Sequence, residues 1–173
     1  MKEIKDTGTR TEFDSGAVRE CCEGKGRCDL LPIGVVDDIV EYHDTKDVCN
    51  DDFFIPLMAN FGCELEVGIE NCTELVEAFV NFSLYAFDDI HSALLEVSKQ
   101  FEEGSKKYSE NNWMKGIPLH CYIDSAIRHY LKYKRGDSDE PHDRAVLWNL
   151  MCAIWTIENK PELIDVGGDD AKK

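Results

Sequence analysis

PLHCYIDSAIRHYLKYKRG, Pro118 to Gly136, reads as one helix with a marked start and a marked stop. Proline, with its fixed φ, suits the first turn. Tyr122, Ile123, Ala126, Ile127, Tyr130 and Leu131 recur at helical spacing and lay an apolar stripe along one side. Lys132, Lys134 and Arg135 suit the negative end of a helix dipole, and Gly136 ends it. Working outward, the same period continues on both sides. Upstream, Asp88 or Asp89 can cap a helix carrying Ile90, Leu94, Leu95, Val97 and Phe101 and ending near Gly104. Before it, Thr73, Glu74 and Glu77 open another, with Leu75, Val76, Phe79, Val80 and Leu84 at helical spacing. Downstream, GDSDEP is a loop, and Pro141 starts a last helix with Ala145, Leu147, Leu150, Met151, Ile154 and Trp155.

Residues 36–48 and the apolar segment Phe53 to Phe61 predict two shorter helices. No strand pattern of comparable strength occurs. Gly8, Gly16, Gly24, Gly26 and Gly34 punctuate residues 1–35, which read as an irregular arm packed by Leu30, Leu31 and Ile33. The tail beyond Pro161 is polar and expected to fray. The fold class expected is all-α: a bundle of about four main helices with an irregular N-terminal arm. One domain is expected, with residues 1–35 as its arm and 36–173 as its helical body.

Acidic residues outnumber basic ones by 35 to 19, a net charge of -16, so the average surface repels a polyanion and argues against nucleic acid as a partner. A small anion can still bind where cations cluster, or where a divalent ion bridges it to carboxylates. No run is apolar enough to cross a bilayer, and Met-Lys-Glu-Ile-Lys-Asp is not the start of a signal peptide. The eight cysteines form no CxxC pair and are expected to be reduced thiols. Cys21, Cys22 and Cys28 fit no standard zinc spacing.

Several residues suit metal and phosphate chemistry. Glu96 and Glu103 lie about two turns apart on one helix face, whereas Glu102 diverges from Glu96. Asp124 sits in an apolar run, with Arg128 one turn on as its plain alternative partner. Glu140 and Asp143 make an ExxD spacing near a helix start. Two or three of Glu102, Glu103, Asp139 and Glu140 are expected to be simply solvated. Carboxylates from separate helices can converge on a hard divalent cation such as Mg²⁺. His142-Asp143 resembles the metal-binding pair of HD phosphohydrolases, with His91, His120 and His129 available on other helices. Gly24-Lys25-Gly26-Arg27 suits either a basic turn or a phosphate cradle. In KKYSENNWMKG, Lys106 to Gly116, Trp113 suits either a core anchor or a stacking platform.

The run from Leu94 to Asp137 resembles the N-terminal domain family of the dATP/dGTP diphosphohydrolases, which is common in tailed phages and prophages. The matching motifs are Glu96-Val97-Ser98, Gly104-Ser105-Lys106-Lys107-Tyr108, Asn112-Trp113-Met114-Lys115-Gly116 and Tyr122-Ile123-Asp124-Ser125-Ala126-Ile127-Arg128-His129, then His142 and Asn149. Phe13 to Arg19 and Gly24 to Pro32 add a second block. Residues 36–90 match nothing. Many relatives carry a second His three positions after the first; here that position is Ala145, with Asp143 as a replacement ligand.

The resemblance implies an enzyme splitting dATP or dGTP into the nucleoside monophosphate and pyrophosphate, with Mg²⁺ (or Mn²⁺) as cofactor. Related chemistry belongs to the all-α MazG-like pyrophosphatases, whose full ExxE…ExxD signature is missing here. On this reading Glu96, Asp124 and Asp143 are catalytic, and the metal is held by them with Glu103 or His142. Lys25, Arg27, Lys106, Lys107 and Arg128 hold phosphates, and Asn112, Trp113 and Asn149 complete the substrate site. A homo-oligomer in the cytoplasm, that of the host if phage-encoded, is expected. The alternatives are a phage protein that binds a nucleotide or a partner without hydrolysis, and a structural phage protein.

Overall fold

The computed structural model describes residues 9–20, 23–46, 52, 54–65 and 72–166. Among the described residues, two short strands, β1 (Arg10–Glu12) and β2 (Val18–Glu20), are followed by six helices. These are α1 (Ile33–Thr45), α2 (Phe54–Leu65), α3 (Thr73–Phe87), α4 (Ile90–Tyr108), α5 (Leu119–Arg135) and α6 (His142–Asn159). Short 3-10 turns follow β2, α4 and α6. The architecture is all-α, as the periodicity requires. The antiparallel β1–β2 hairpin, in the register Thr11 to Arg19, was not legible, because strands of three residues leave no alternation to read.

At the centre lies α6. Leu147, Leu150, Met151, Cys152 and Ile154 are fully buried on it, and it packs on α3, α4 and α5. A helix apolar on most sides has to be an inner one. Around it, α3 buries Leu75, Phe79, Val80 and Phe82, and α5 buries Leu119, Tyr122, Ala126 and Tyr130. Asp89 caps α4, accepting from the amides of His91 (3.2 Å) and Ser92 (2.8 Å). Its neighbour Asp88 ends α3 in the left-handed region at φ 62°.

α4 does not stop at Gly104 but continues to Tyr108. A single interior glycine lowers helix stability by only about 1 kcal/mol, and Phe101, buried at 3% exposure, anchors the turn before it.

The arm is tied down by one buried carboxylate. Glu102, 6% exposed, accepts from the amide of Gly24 at 2.9 Å and of Gly26 at 2.8 Å. Lys106 pairs with it from one turn on, at 2.9 Å. The amide of Arg27 donates to the carbonyl of Ser98 at 3.0 Å. Gly26 has φ +88°, and a Cβ there would stand 2.0 Å from Ser98 Oγ, so the arm reaches α4 only with glycine at this position.

Glu102→Ala leaves two amides and a lysine without their anion, and should lower unfolding free energy by about 2–3 kcal/mol in urea titration. Lys106 first, then the two amides, hold the Glu102 carboxyl down at about 2. A depressed native value stabilises the fold above the ordinary glutamate range and ceases to do so as pH falls through the native value. The difference between wild type and Glu102→Ala should therefore be full at pH 6 and shrink between about pH 4.5 and pH 2.

Candidate active site

The sharp reversal between α5 and α6 builds the site. Gly136 closes α5 at φ +83°, and the loop runs back so that α6 lies along α5. His129 of α5 and His142, the first residue of α6, then meet with their Nδ1 atoms 3.0 Å apart. Glu140 Oε1 stands 3.6 Å from each of these nitrogens. On its other side, His142 Nε2 lies 2.8 Å from Asp139 Oδ1. Its side chain is 1% exposed.

That second contact sets the tautomer. An anionic carboxylate requires a proton on Nε2, which leaves the Nδ1 lone pair of His142 directed at His129 and Glu140. His142 first, then Lys132, hold the Asp139 carboxyl at about 2, so it is ionised. Burial is the main cause that pushes His129 below the ordinary imidazole range, which favours the neutral, ligating form. Two imidazole nitrogens and one carboxylate oxygen thus converge within 4.8 Å of one another. This donor set fits a divalent metal ion. Asp137, Asp139 and His142 form a second such group, but Asp137 is already engaged by Arg135 and Asp139 by Lys132 at 3.1 Å.

Glu140 also lines a cavity of about 590 Å³ between the end of α4, the 3-10 turn after it and α6. Phe101, Glu103, Lys107, Tyr108, Asn112, Trp113 and Trp148 contribute walls. The volume lies in the range of small-molecule sites, and the lining mixes aromatic and polar groups.

Of the expected metal ligands, only His142 joins either group. Asp124 is 70% exposed and pairs with Arg128, because the buried face of α5 runs through Tyr122, Ala126 and Tyr130 and residue 124 falls on the opposite side. Glu96 pairs with Lys99. Glu103 accepts from Arg144 at 2.6 Å. Asp143 turns back to its own helix start, accepting from the amide of Arg144 at 2.8 Å. Among the described residues, Glu96, Asp124 and Asp143 join neither group of potential metal ligands.

The expected substrate groups divide. Lys107, Asn112 and Trp113 line the cavity. Trp113 does so as a core anchor, 7% exposed and edge-on to Phe101 and Trp155; Tyr108 is 60% exposed, with the Lys107 ammonium over its ring at 5.0 Å. Lys106 is committed to Glu102 and Glu23, Arg27 to Asp29 and Glu110, and Arg128 to Asp124 and Ser125. Lys25 is exposed outside the cavity lining. Asn149 is buried and donates to the carbonyl of Ala145 within its own helix. The GKGR amides do cradle an anion, but it is the protein's own Glu102. Cys28 is a free, exposed thiol; Cys21 and Cys22 lie outside the described residues.

His129 and Glu140 were weighed from the sequence, as an available partner of His142-Asp143 and as the start of an ExxD spacing, and Asp139 among the acidic groups expected mostly to be solvated, but none of the three was assigned to the site. The signal that locates them is a pair of histidines flanking a short helix-to-helix reversal, with Glu140-Pro141-His142 at the second helix start. No helix of the described residues is long and apolar enough to cross a membrane.

No curated protein and no solved structure matches the chain. The family model described as dATP/dGTP diphosphohydrolase, N-terminal, matches residues 80–166, half of the chain, including α4, α5, α6, His129, Glu140 and His142. The chain belongs to the dATP/dGTP diphosphohydrolase N-terminal domain family.

Proposed function

We propose that the protein hydrolyses a purine deoxynucleoside triphosphate, dATP or dGTP, to the nucleoside monophosphate and pyrophosphate. The observation that carries this reading is the double position of Glu140, which lines the cavity and stands 3.6 Å from both histidine Nδ1 atoms. Metal donors and a substrate-sized space therefore share one side chain.

His129, His142 and Glu140 would hold a divalent ion. When bound, such an ion supplies charge neutralisation for phosphate oxygens and lowers the pKa of water. Two imidazoles suit Mn²⁺ better than Mg²⁺, which favours oxygen ligands. Asp139 keeps the His142 proton on the far nitrogen. Lys107, at the cavity wall, provides a cation for the polyphosphate, and Tyr108 an exposed ring for the base. The excess of 35 acidic over 19 basic residues supports a small substrate over nucleic acid. The family setting supports action on the nucleotide pool of a cell, the host cell where the gene is carried by a phage.

The non-catalytic alternative rests on Ala145, which stands where many relatives carry a second histidine. Ala145 is buried in the fold at 4% exposure, and the His129–Glu140–His142 group closes without it, which favours the enzyme.

Incubation with dATP or dGTP and Mn²⁺ or Mg²⁺ should release pyrophosphate and the monophosphate, read by product chromatography. Intermediate release of a single phosphate would refute the assignment. His142→Asn should abolish that release, whereas Asp124→Asn should leave it near wild type; the reverse pattern would return the metal to the α5 carboxylate. Asp139→Asn should weaken Mn²⁺ binding, measured by calorimetry, by about 10–100-fold with helicity unchanged. An unaltered affinity would remove Asp139 from the site.

A further inference from the structure

Arg144 is a buried charged group with incomplete pairing, and it stands behind Glu103, a residue of the cavity wall, without lining the cavity itself. It is 9% exposed. Its Nη2 donates to Glu103 Oε1 at 2.6 Å, while its Nε is buried with no hydrogen-bond partner among the described residues. A guanidinium has five N–H donors and is always charged. An unpaired buried donor on a charged group carries a free-energy penalty that a second acceptor would remove. Glu103 cannot easily be that acceptor for the whole fork. It is 59% exposed and is itself part of the cavity wall, along with Lys107 on the next turn of α4.

The site thus holds two carboxylates with matched positions. Glu140 faces the two histidines and the cavity. Glu103 faces Arg144 and the cavity. A tetrahedral phosphate entering this space would offer several acceptor oxygens to a guanidinium that has one partner among the described residues, and would carry more charge than the carboxylate it meets.

We propose that Arg144 is a phosphate-binding residue of the cavity, and that Glu103 occupies its guanidinium until a pyrophosphate-containing ligand displaces it. This deepens, and rests on, the reading of the cavity as a nucleoside triphosphate site. Glu103 is then a competitor for the anion: its removal strengthens phosphate binding. A mere tie between α4 and α6 behaves in the opposite way, since removing it can only loosen the fold and the site.

The test is binding of inorganic pyrophosphate to the full chain in excess EDTA, by calorimetry, with folding checked by circular dichroism. Glu103→Gln, a change at an exposed side chain, should bind pyrophosphate at least about threefold more tightly than wild type, and Arg144→Met at least about tenfold more weakly, the scale of one charge-assisted contact. Arg144→Lys, which keeps the charge and loses the fork, should fall between wild type and Arg144→Met. The inference is overturned if Glu103→Gln binds no better than wild type, or if folded Arg144→Met binds equally well. If Arg144→Met does not fold, Glu103→Gln decides alone. Hydrolysis is measured separately with metal present. Pyrophosphate binding that follows the stated order without turnover of dATP or dGTP sinks the enzymatic reading and keeps this one; turnover with unchanged pyrophosphate binding does the opposite.

Discussion

Burial of α6 is the constraint from which the rest follows. Its apolar length, from Val146 to Ile154, is enclosed by α3, α4 and α5, so its direction and rotation are fixed by packing. That leaves its first turn no freedom. His142 and Arg144, both buried, are delivered to opposite neighbours: His142 to His129 on α5, Arg144 to Glu103 on α4. Two residues apart on a helix means about 200° of rotation. One turn of α6 therefore serves two walls of the same region, and the polar groups of an otherwise apolar helix gather at its start. Asn149 and Thr156, the other buried polar side chains on α6, donate to carbonyls four residues back and so make no demand on neighbouring helices.

The acidic composition divides by burial in the same way. Most carboxylates stand at the surface, where an ion pair adds little; Asp124 with Arg128 and Glu96 with Lys99 are of this kind. Glu102 is not. Buried on α4, it has to be met by donors, and the amides of Gly24 and Gly26 supply them across a separation of more than seventy residues in the chain. The arm is thereby bound to α4 by a charge-assisted contact rather than by an apolar one, and it brings Leu30 to the cavity wall.

The helices were legible because each announces itself locally. Pro118 and Gly136 bracket α5, Asp89 caps α4, and the apolar spacing of 119–131 states which side is inward. The same spacing contained the answer on Asp124, had it been followed: Tyr122 and Ala126 are one turn apart on the buried face, and the residue midway between them points out. Apolar neighbours in sequence are not apolar neighbours in space on a helix. For this reason Asp124 stands at the surface beside Arg128, although Tyr122 and Ala126 in the same stretch are buried. His129 and Glu140 were hidden for a different reason. The ExxD spacing at Glu140 and the presence of His129 were readable, but their meeting depends on the angle at which α5 and α6 pack and on the path of the loop between them. Those are tertiary facts, and single-sequence periodicity is silent on them.

The two types of carboxylate at the cavity bear on how a chain so acidic would serve the anionic substrate proposed for it. Repulsion between a polyphosphate and the protein is set by the charges that face it without a counter-ion. Glu140 faces two imidazoles and Lys132, at 3.6 to 3.8 Å, and Glu103 faces Arg144. Each acid at the wall is thus matched to a cation or to the pair of imidazoles. The net charge of -16 acts at long range, where salt screens it beyond about 10 Å, while the short-range field inside the cavity is set by these few groups. The anion binding proposed for such a protein would be built from paired charges that change partners, because its composition is short of cations.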